Sequence, residues 1–424
     1  MHGDFSRLTF DPAHHYSAVL LQQGRVQLDA DANEQSVLVN HFLRHLAADL
    51  IGPYGGVGDA FKIAHLGRPG ATKDLQIGAG RYYVDGVPAD NDRAGATYRK
   101  QAEPGPALPK KYPFLVYLRV HERLVTHVED RSLREVALGD NAPDTAVRLQ
   151  LVWQVLAADT IPGGAGPIPG SVDEILAKWP DWQAGWRPTA RMAADALGPA
   201  RGQEPCPVAP ESRYRGVENQ LYRVEIHQEG TADEATYSWS RDNGSVVFPI
   251  PPQGGTRIVL KGLGRDDIHT LTPGDWVEPV DASRLWSGPH DLLEVLKVSV
   301  PDREIELSGP AEVTGDHPYL RRWDQRGPAR PVAEGTWLPL EDGVQIRFAP
   351  GGRYRSGDYW LVPARTATGD VEWQRDGEER AYRAPDGIDD HLAPLALIKA
   401  DGTAEDLRSV IKPSAERPPG GGRP

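Results

Sequence analysis

The chain contains a single cysteine, Cys206. That excludes an internal disulfide, and with it the paired-cysteine patterns of zinc sites and redox motifs. Cys206 stands in "EPCPVAP", between prolines. This reads as a rigid loop rather than the helix N-terminus that activates a thiolate. Basic clusters are missing too. The net charge is −13, the pI about 5.5, and no Lys/Arg-rich run offsets this locally. General nucleic-acid binding, which needs clustered positive charge against phosphate, is therefore not expected. No window approaches 18 apolar residues, so no membrane-spanning helix is expected. The start, "MHGDFSRLTF", has neither a basic nor an apolar targeting region, which points to a soluble protein of the reducing cytoplasm. Neither the phosphate loop G-x-x-x-x-G-K-[ST] nor the G-x-S-x-G nucleophile elbow is present.

What the chain has is turns. Its 45 glycines and 38 prolines favour many short strands over long helices. With 39% hydrophobic and 25% charged residues it is globular. The expected fold is mainly β (α+β), with short antiparallel strands in two β-rich regions. One N-terminal amphipathic helix and a helical or loop insertion complete it.

Five consecutive blocks follow from the pattern. Residues 1–56 read as two extended runs around Gln23-Gly24, then a helix from about Ala32 to Ile51 stopped by Gly52-Pro53. Val39, Phe42, Leu43, Leu46 and Leu50 recur at helical spacing, opposite Asn40, His41, Arg44, His45 and Asp49. Residues 57–157 form a β-rich domain. Within it Asp85-Gly86 is a hairpin turn, and "YPFLVYLRVHERLV" is apolar enough for a central strand. Residues 158–205 are a Gly/Pro linker and a Trp-containing helical insertion, with Ser171 as cap and Glu174 in the first turn. Residues 206–400 are β-rich, with hairpins at "YSWSRDNGSVVFPI" and "GVQIRFAPGGRYRSGDYWLVPAR" and a small barrel-like subdomain near 265–309. Residues 401–424 are a short helix and a disordered tail.

Candidate chemistry is sparse. "LDADANEQ" opens like a calcium loop at Asp29, Asp31 and Asn33, but Glu34 stands where that loop needs glycine, and Asn40 where it needs glutamate. A helix cap fits better, with Asp31 and Glu34 exchanging hydrogen bonds with each other's backbone. His41 and His45 lie one turn apart, yet Phe42 replaces the zincin glutamate and Arg44 opposes a cation. With Arg44 they read as an interface face. Acidic pairs such as Asp266-Asp267, Asp275 with Glu278, Glu341-Asp342 and Asp389-Asp390 serve turns more often than glycoside hydrolysis. Of the 11 tryptophans, Trp179, Trp182 and Trp186 could form an exposed interface patch, whereas Trp239, Trp276, Trp337, Trp360 and Trp373 read as core. No catalytic, cofactor or metal residues are expected.

Several phrases resemble one bacterial family without assigned activity. They are "GDFSRLTFDPAHHYSAVLLQQGRVQLDADANEQ", "GRYYVDGV", "REVALGDNAPDTAVRLQLVWQV", "ENQLYRVEIH", "YSWSRDNGSVV", "LTPGDWVE" and "GDYWLVPAR". Members lie near genes for phage-tail-like contractile injection systems, and the resemblance runs from about Gly3 to Ile398. Relatives tend to carry an aromatic where this chain has Ala32. The resemblance implies a non-enzymatic structural, adaptor or cargo protein, partnered by protein components of a tail-like particle and exported with it. The alternative is a glycan-binding or cell-wall glycan-hydrolysing protein, motivated by the tryptophans and acids.

Overall fold

In the computed structural model the chain is mainly β, with 39% strand against 14% helix. Most strand pairings are antiparallel. The structure describes residues 2–103, 105–138, 144–161, 166–196, 214–264, 266, 268–281, 290–313 and 315–411. The chain gathers into two compact units, each drawn from separated segments. The first takes Met1–Ser36, Arg123–Gln150 and Pro188–Asp389; the second takes Val37–Glu122, Leu151–Arg187 and Asp390–Pro424. The consecutive blocks expected from composition do not coincide with these units, because strands far apart in sequence pair.

The second unit is built around the strand Phe114–Val125, which lies between His391–Ile398 and Arg148–Ala158. Its apolar run is buried on both faces, as a central strand should be. Phe114, Val116, Leu118 and Val120 enter one core with Tyr82, Val84 and Leu395. Leu115 enters another, with Trp179, Trp182 and Leu397. The hairpin Gly80–Val84 and Val87–Asn91 turns at Asp85 and Gly86, both at positive φ. After residue 400, strands Ala404–Asp406 and Val410–Ile411 replace the expected short helix. Leu407 N–H donates to Leu395 O at 3.0 Å, so sheet pairing takes the backbone groups a helix would have used.

The helix α2, Val172–Trp186, belongs to this unit. Ser171 has cap geometry but makes no side-chain cap bond. Ile175, Trp179 and Trp182 face inward, so α2 covers the second face of the central sheet. The rest of the expected insertion behaves differently. Met192–Ala196 is a strand of the first unit, paired with Val344–Phe348.

In the first unit two sheets enclose one core. A five-stranded sheet runs in the order Arg330–Pro331, Thr236–Ser240, Gln220–Gln228, Tyr359–Arg365, Asp370–Val371. Tyr222, Val224 and Ile226 pack with Met192, Ile346 and Phe348 of the three-stranded sheet Leu338–Pro339, Val344–Phe348, Met192–Ala196. Both hairpins expected in this region are absent. Thr236–Ser240 and Val247–Pro249 enter different sheets, as do Val344–Phe348 and Tyr359–Arg365. At the first of these, Asp242, Asn243 and Gly244 all have positive φ. Asn243 is buried: it accepts from Arg223 Nη1 (3.1 Å) and donates to Gly3 O (3.0 Å). A turn engaged in this way redirects the chain instead of closing a hairpin.

A six-stranded sheet over residues 247–323 has its own core. Lys261 N–H donates to Pro249 O at 2.9 Å and draws its two edges together. The barrel-like set of strands is thus larger than residues 265–309. Cys206, residues 162–165 of the linker and the tail at 412–424 lie outside the described residues.

Candidate protein-docking surface

The helix α1 runs from Asp29 to Ile51, starting three residues before the expected Ala32. Its first turn is held from outside the helix. Ser6 donates to the Asp29 carboxylate through N–H (2.9 Å) and Oγ (2.6 Å). Burial disfavours ionised Asp29, but these bonds and its own backbone outweigh it and hold the carboxyl below its usual range. Glu34 accepts from the Thr9 hydroxyl. The Asp31–Glu34 capping box is therefore not formed: Asp31 already lies inside the first turn, and Glu34 is engaged by Thr9. At the other end Gly52, at φ +92, donates to Ala48 O (2.8 Å) and stops the helix as expected.

The orientation of α1 is unusual. A surface helix normally turns its apolar stripe inward. Here Ala30 and Leu38 are the buried apolar residues of α1, and His41, Arg44 and Ala48 are half-buried. The apolar stripe of the helix points to solvent instead. Val39 is 47% exposed, Phe42 67%, Leu43 53%, Leu46 45% and Leu50 78%. The polar side is the one fastened down. Arg44 donates through both Nη atoms to Glu122. The backbone of Arg44 also lies against the hairpin tip: a Cβ on Gly86 would sit 1.9 Å from Arg44 O. Only glycine permits that approach.

His41 and His45 face each other with ring centroids 4.2 Å apart. Burial, then the neighbouring His45 and Arg44, lowers the His41 pKa from its ordinary value. The neighbouring ring and guanidinium favour a neutral imidazole at His41 over a bound cation. Among the described residues no group of three or more His, Cys, Asp or Glu side chains could hold a metal ion.

The segment before α1 is a second exposed apolar feature, on the first unit. Residues 16–22 and 25–28 flank a turn, with Arg25 N–H to Gln22 O at 3.3 Å, and belong to no helix or strand. Leu20 is 84% exposed and Val26 83%. The segment is tied at both ends. Arg365 donates to Ser6 O (2.9 Å), Arg7 pairs with Glu372 (2.7 Å), and Val19 N–H donates to Gln35 Oε1 (2.7 Å).

The exposed tryptophan patch is not there. Trp179 and Trp182 are buried, and Trp186 is half-buried with its ring centroid 5.1 Å from that of Tyr117. Ring burial against the central sheet outweighs any gain from presenting them to water. No described tryptophan is exposed. At least one carboxylate of each acidic pair is engaged as well, and Asp267 lies outside the described residues. Asp266 accepts from Ile268 and His269 N–H, Asp275 from Thr272, and Glu278 from Arg321 (3.3 Å) and Trp323 (3.0 Å). Glu341 pairs with Arg241, and Asp390 with Arg119.

A family model matches residues 1–164 and 187–406, more than half of the chain. The chain belongs to DUF6519, a family of unknown function. The break in the match, 165–186, takes in the whole of α2. No curated protein and no solved structure matches the chain. No helix among the described residues is long and apolar enough to cross a membrane.

The sequence pattern marked the α1 stripe but not the direction it faces, and it passed over Leu20, Leu21 and Val26. The spacing did not separate the two orientations: with Phe42, the residues Val39, Leu43, Leu46 and Leu50 form the wider stripe that a core-facing helix also shows.

Proposed function

We propose that this DUF6519 chain is a non-enzymatic structural, adaptor or cargo protein of a phage-tail-like contractile injection particle, and that it acts through protein–protein contacts. The observation that carries the contact part is the outward apolar face of α1. Val39, Phe42, Leu43, Leu46 and Leu50 stand exposed along one face of a single helix, where a surface helix normally buries its apolar stripe. Uncovered faces of this kind mark interaction sites. The particle itself is supported by the motifs that link the chain to its family, above all "QGRVQLDADANEQ", which runs from the exposed segment before α1 into its first turns. The buried tryptophans and the arginine-paired carboxylates favour this reading over glycan binding or hydrolysis, which would need an open aromatic platform or two free facing acids.

The test is to purify contractile particles from cells carrying this gene and quantify the chain by mass spectrometry. Native protein should co-purify at a fixed ratio to sheath or baseplate proteins, and Leu43→Glu with Leu46→Glu should be lost from the particle. Absence of the native chain from intact particles would refute the proposal.

A further inference from the structure

We infer that α1 pairs with α1 of a second copy of this chain, antiparallel about a two-fold axis near His41. The inference rests on the docking role proposed for this helix and names its partner.

The seam has a register. With Leu43 at heptad position a, Ser36 and Leu50 also fall at a, and Ala32, Val39 and Leu46 fall at d. All six are exposed. Side-chain size runs in one direction along this line. Ala32 and Ser36 at the N-terminal end are small, and Leu43, Leu46 and Leu50 towards the C-terminal end are large. A parallel copy would set small against small at one end, leaving a void, and Leu against Leu at the other. An antiparallel copy sets Leu50 on Ala32, Leu46 on Ser36 and Leu43 on Val39. Each layer then has similar volume, which is what close packing requires.

The flanks agree. Positions g hold Gln35, Phe42 and Asp49; positions e hold Asn33, Asn40 and Ala47. In the antiparallel arrangement the g residues meet each other, so Phe42 packs on its counterpart beside the axis and Asp49 meets Gln35. Asn40 meets Asn40 on the opposite flank. Asp49 is the single charge among the six, so two copies meet no like-charge pair there, despite a net charge of −13 on each chain. A two-fold contact needs this kind of self-complementarity.

The area is sufficient. Taking roughly 150–200 Å² for a fully exposed large apolar side chain, Val39, Phe42, Leu43, Leu46 and Leu50 offer on the order of 500 Å² per copy. The pair would bury about 1,000 Å², the lower limit of a specific interface.

The test uses the full chain. Analytical ultracentrifugation over roughly 0.1–100 μM should show a reversible monomer–dimer equilibrium. Leu43→Glu should raise the dissociation constant by at least about a hundredfold, because it puts a charge in an apolar layer. Its circular dichroism should not change. Orientation is read from cysteines in a Cys206→Ser background. Ala32→Cys mixed with Leu50→Cys should cross-link, and Ala32→Cys alone should not. A chain monomeric at 100 μM, a dimer unaffected by Leu43→Glu, or Ala32→Cys cross-linking to itself would each overturn the inference. Particles that retain the native chain while it stays monomeric in solution would also overturn it, and would leave the docking role of the same helix standing.

Discussion

The inverted helix makes a sharp energetic prediction. Were Leu43 and Leu46 core residues, truncating either to alanine would cost about 2–5 kcal/mol from lost transfer energy and the cavity left behind. The structure allows far less. Leu43 is 53% exposed and Leu46 45%, so only about half of the roughly 1.5–3 kcal/mol available on full burial of a leucine is realised within one chain. No closed cavity forms at an open surface, and alanine's better helix propensity returns a few tenths of a kcal/mol. The expected loss is about 0.5–1 kcal/mol for each substitution. Leu38, one turn away and 6% exposed, provides the internal comparison, and Leu38→Ala should cost about 2–4 kcal/mol. Urea unfolding followed by far-ultraviolet circular dichroism, below 1 μM to keep self-association out of the measurement, gives the three values. If Leu43→Ala and Leu46→Ala each cost as much as Leu38→Ala, the stripe is buried and the reasoning about α1 fails.

Three further measurements test other parts of the structure as well as the seat of α1. Gly86→Ala should destabilise by about 3 kcal/mol or more, since its Cβ would lie 1.9 Å from Arg44 O at φ +76. Gly24→Ala, at φ +74 with open space around it, should cost only about 1 kcal/mol, and equal losses in denaturant titrations would count against the close approach of the hairpin to α1. Trp182→Ala should cost about 3–5 kcal/mol, and a change under about 1 kcal/mol would restore the exposed-patch reading of α2. Burial, with Arg223 and Arg321 beside it, holds the His2 imidazole well below its ordinary 6.5. The unfolded chain then binds a proton that the folded chain does not, so stability is fully present above about pH 6.5 and declines as pH falls below it. Thermal unfolding between pH 7.5 and 5 should fall more steeply for the native chain than for His2→Gln, and parallel profiles would remove His2 from this role.

Local turn chemistry was readable because it depends on neighbouring residues. Asp85-Gly86 closes its hairpin, Gly52 stops α1, and the largely apolar run Phe114–Val120 is covered on both faces. Strand partners were not readable, because pairing is decided at long range. Tyr359–Arg365 follows Val344–Phe348 closely in sequence, yet pairs with Gln220–Gln228, which presents Tyr222, Val224 and Ile226 to the core shared by all three strands. The same limit hid Met192–Ala196 within an apparent insertion. Alternating small and apolar residues do not announce which distant edge will receive them. Asn243-Gly244 carried the strongest hairpin signal in its region. It was overruled by the buried bonds of Asn243 to Arg223 and Gly3, which lie 20 and 240 residues away.

The α1 stripe shows a different limit. Periodicity establishes that a helix has an apolar side, but not that this side faces its own chain. The deciding evidence lies in the opposite face. Arg44 has Glu122 to bind, and its backbone needs the bare Cα of Gly86 beside it. Neither partner is within reach of a window drawn around the helix. Once Arg44 is fixed against the body, geometry leaves Leu43 and Leu46 no direction but outward, because residues one and two positions away project about 100° and 200° around the axis. The exposure of the stripe is thus enforced by a polar anchor and is not a failure of burial. An anchor that holds five apolar side chains in water is stable only because the cores elsewhere are complete, and it leaves the apolar face available to whatever completes it.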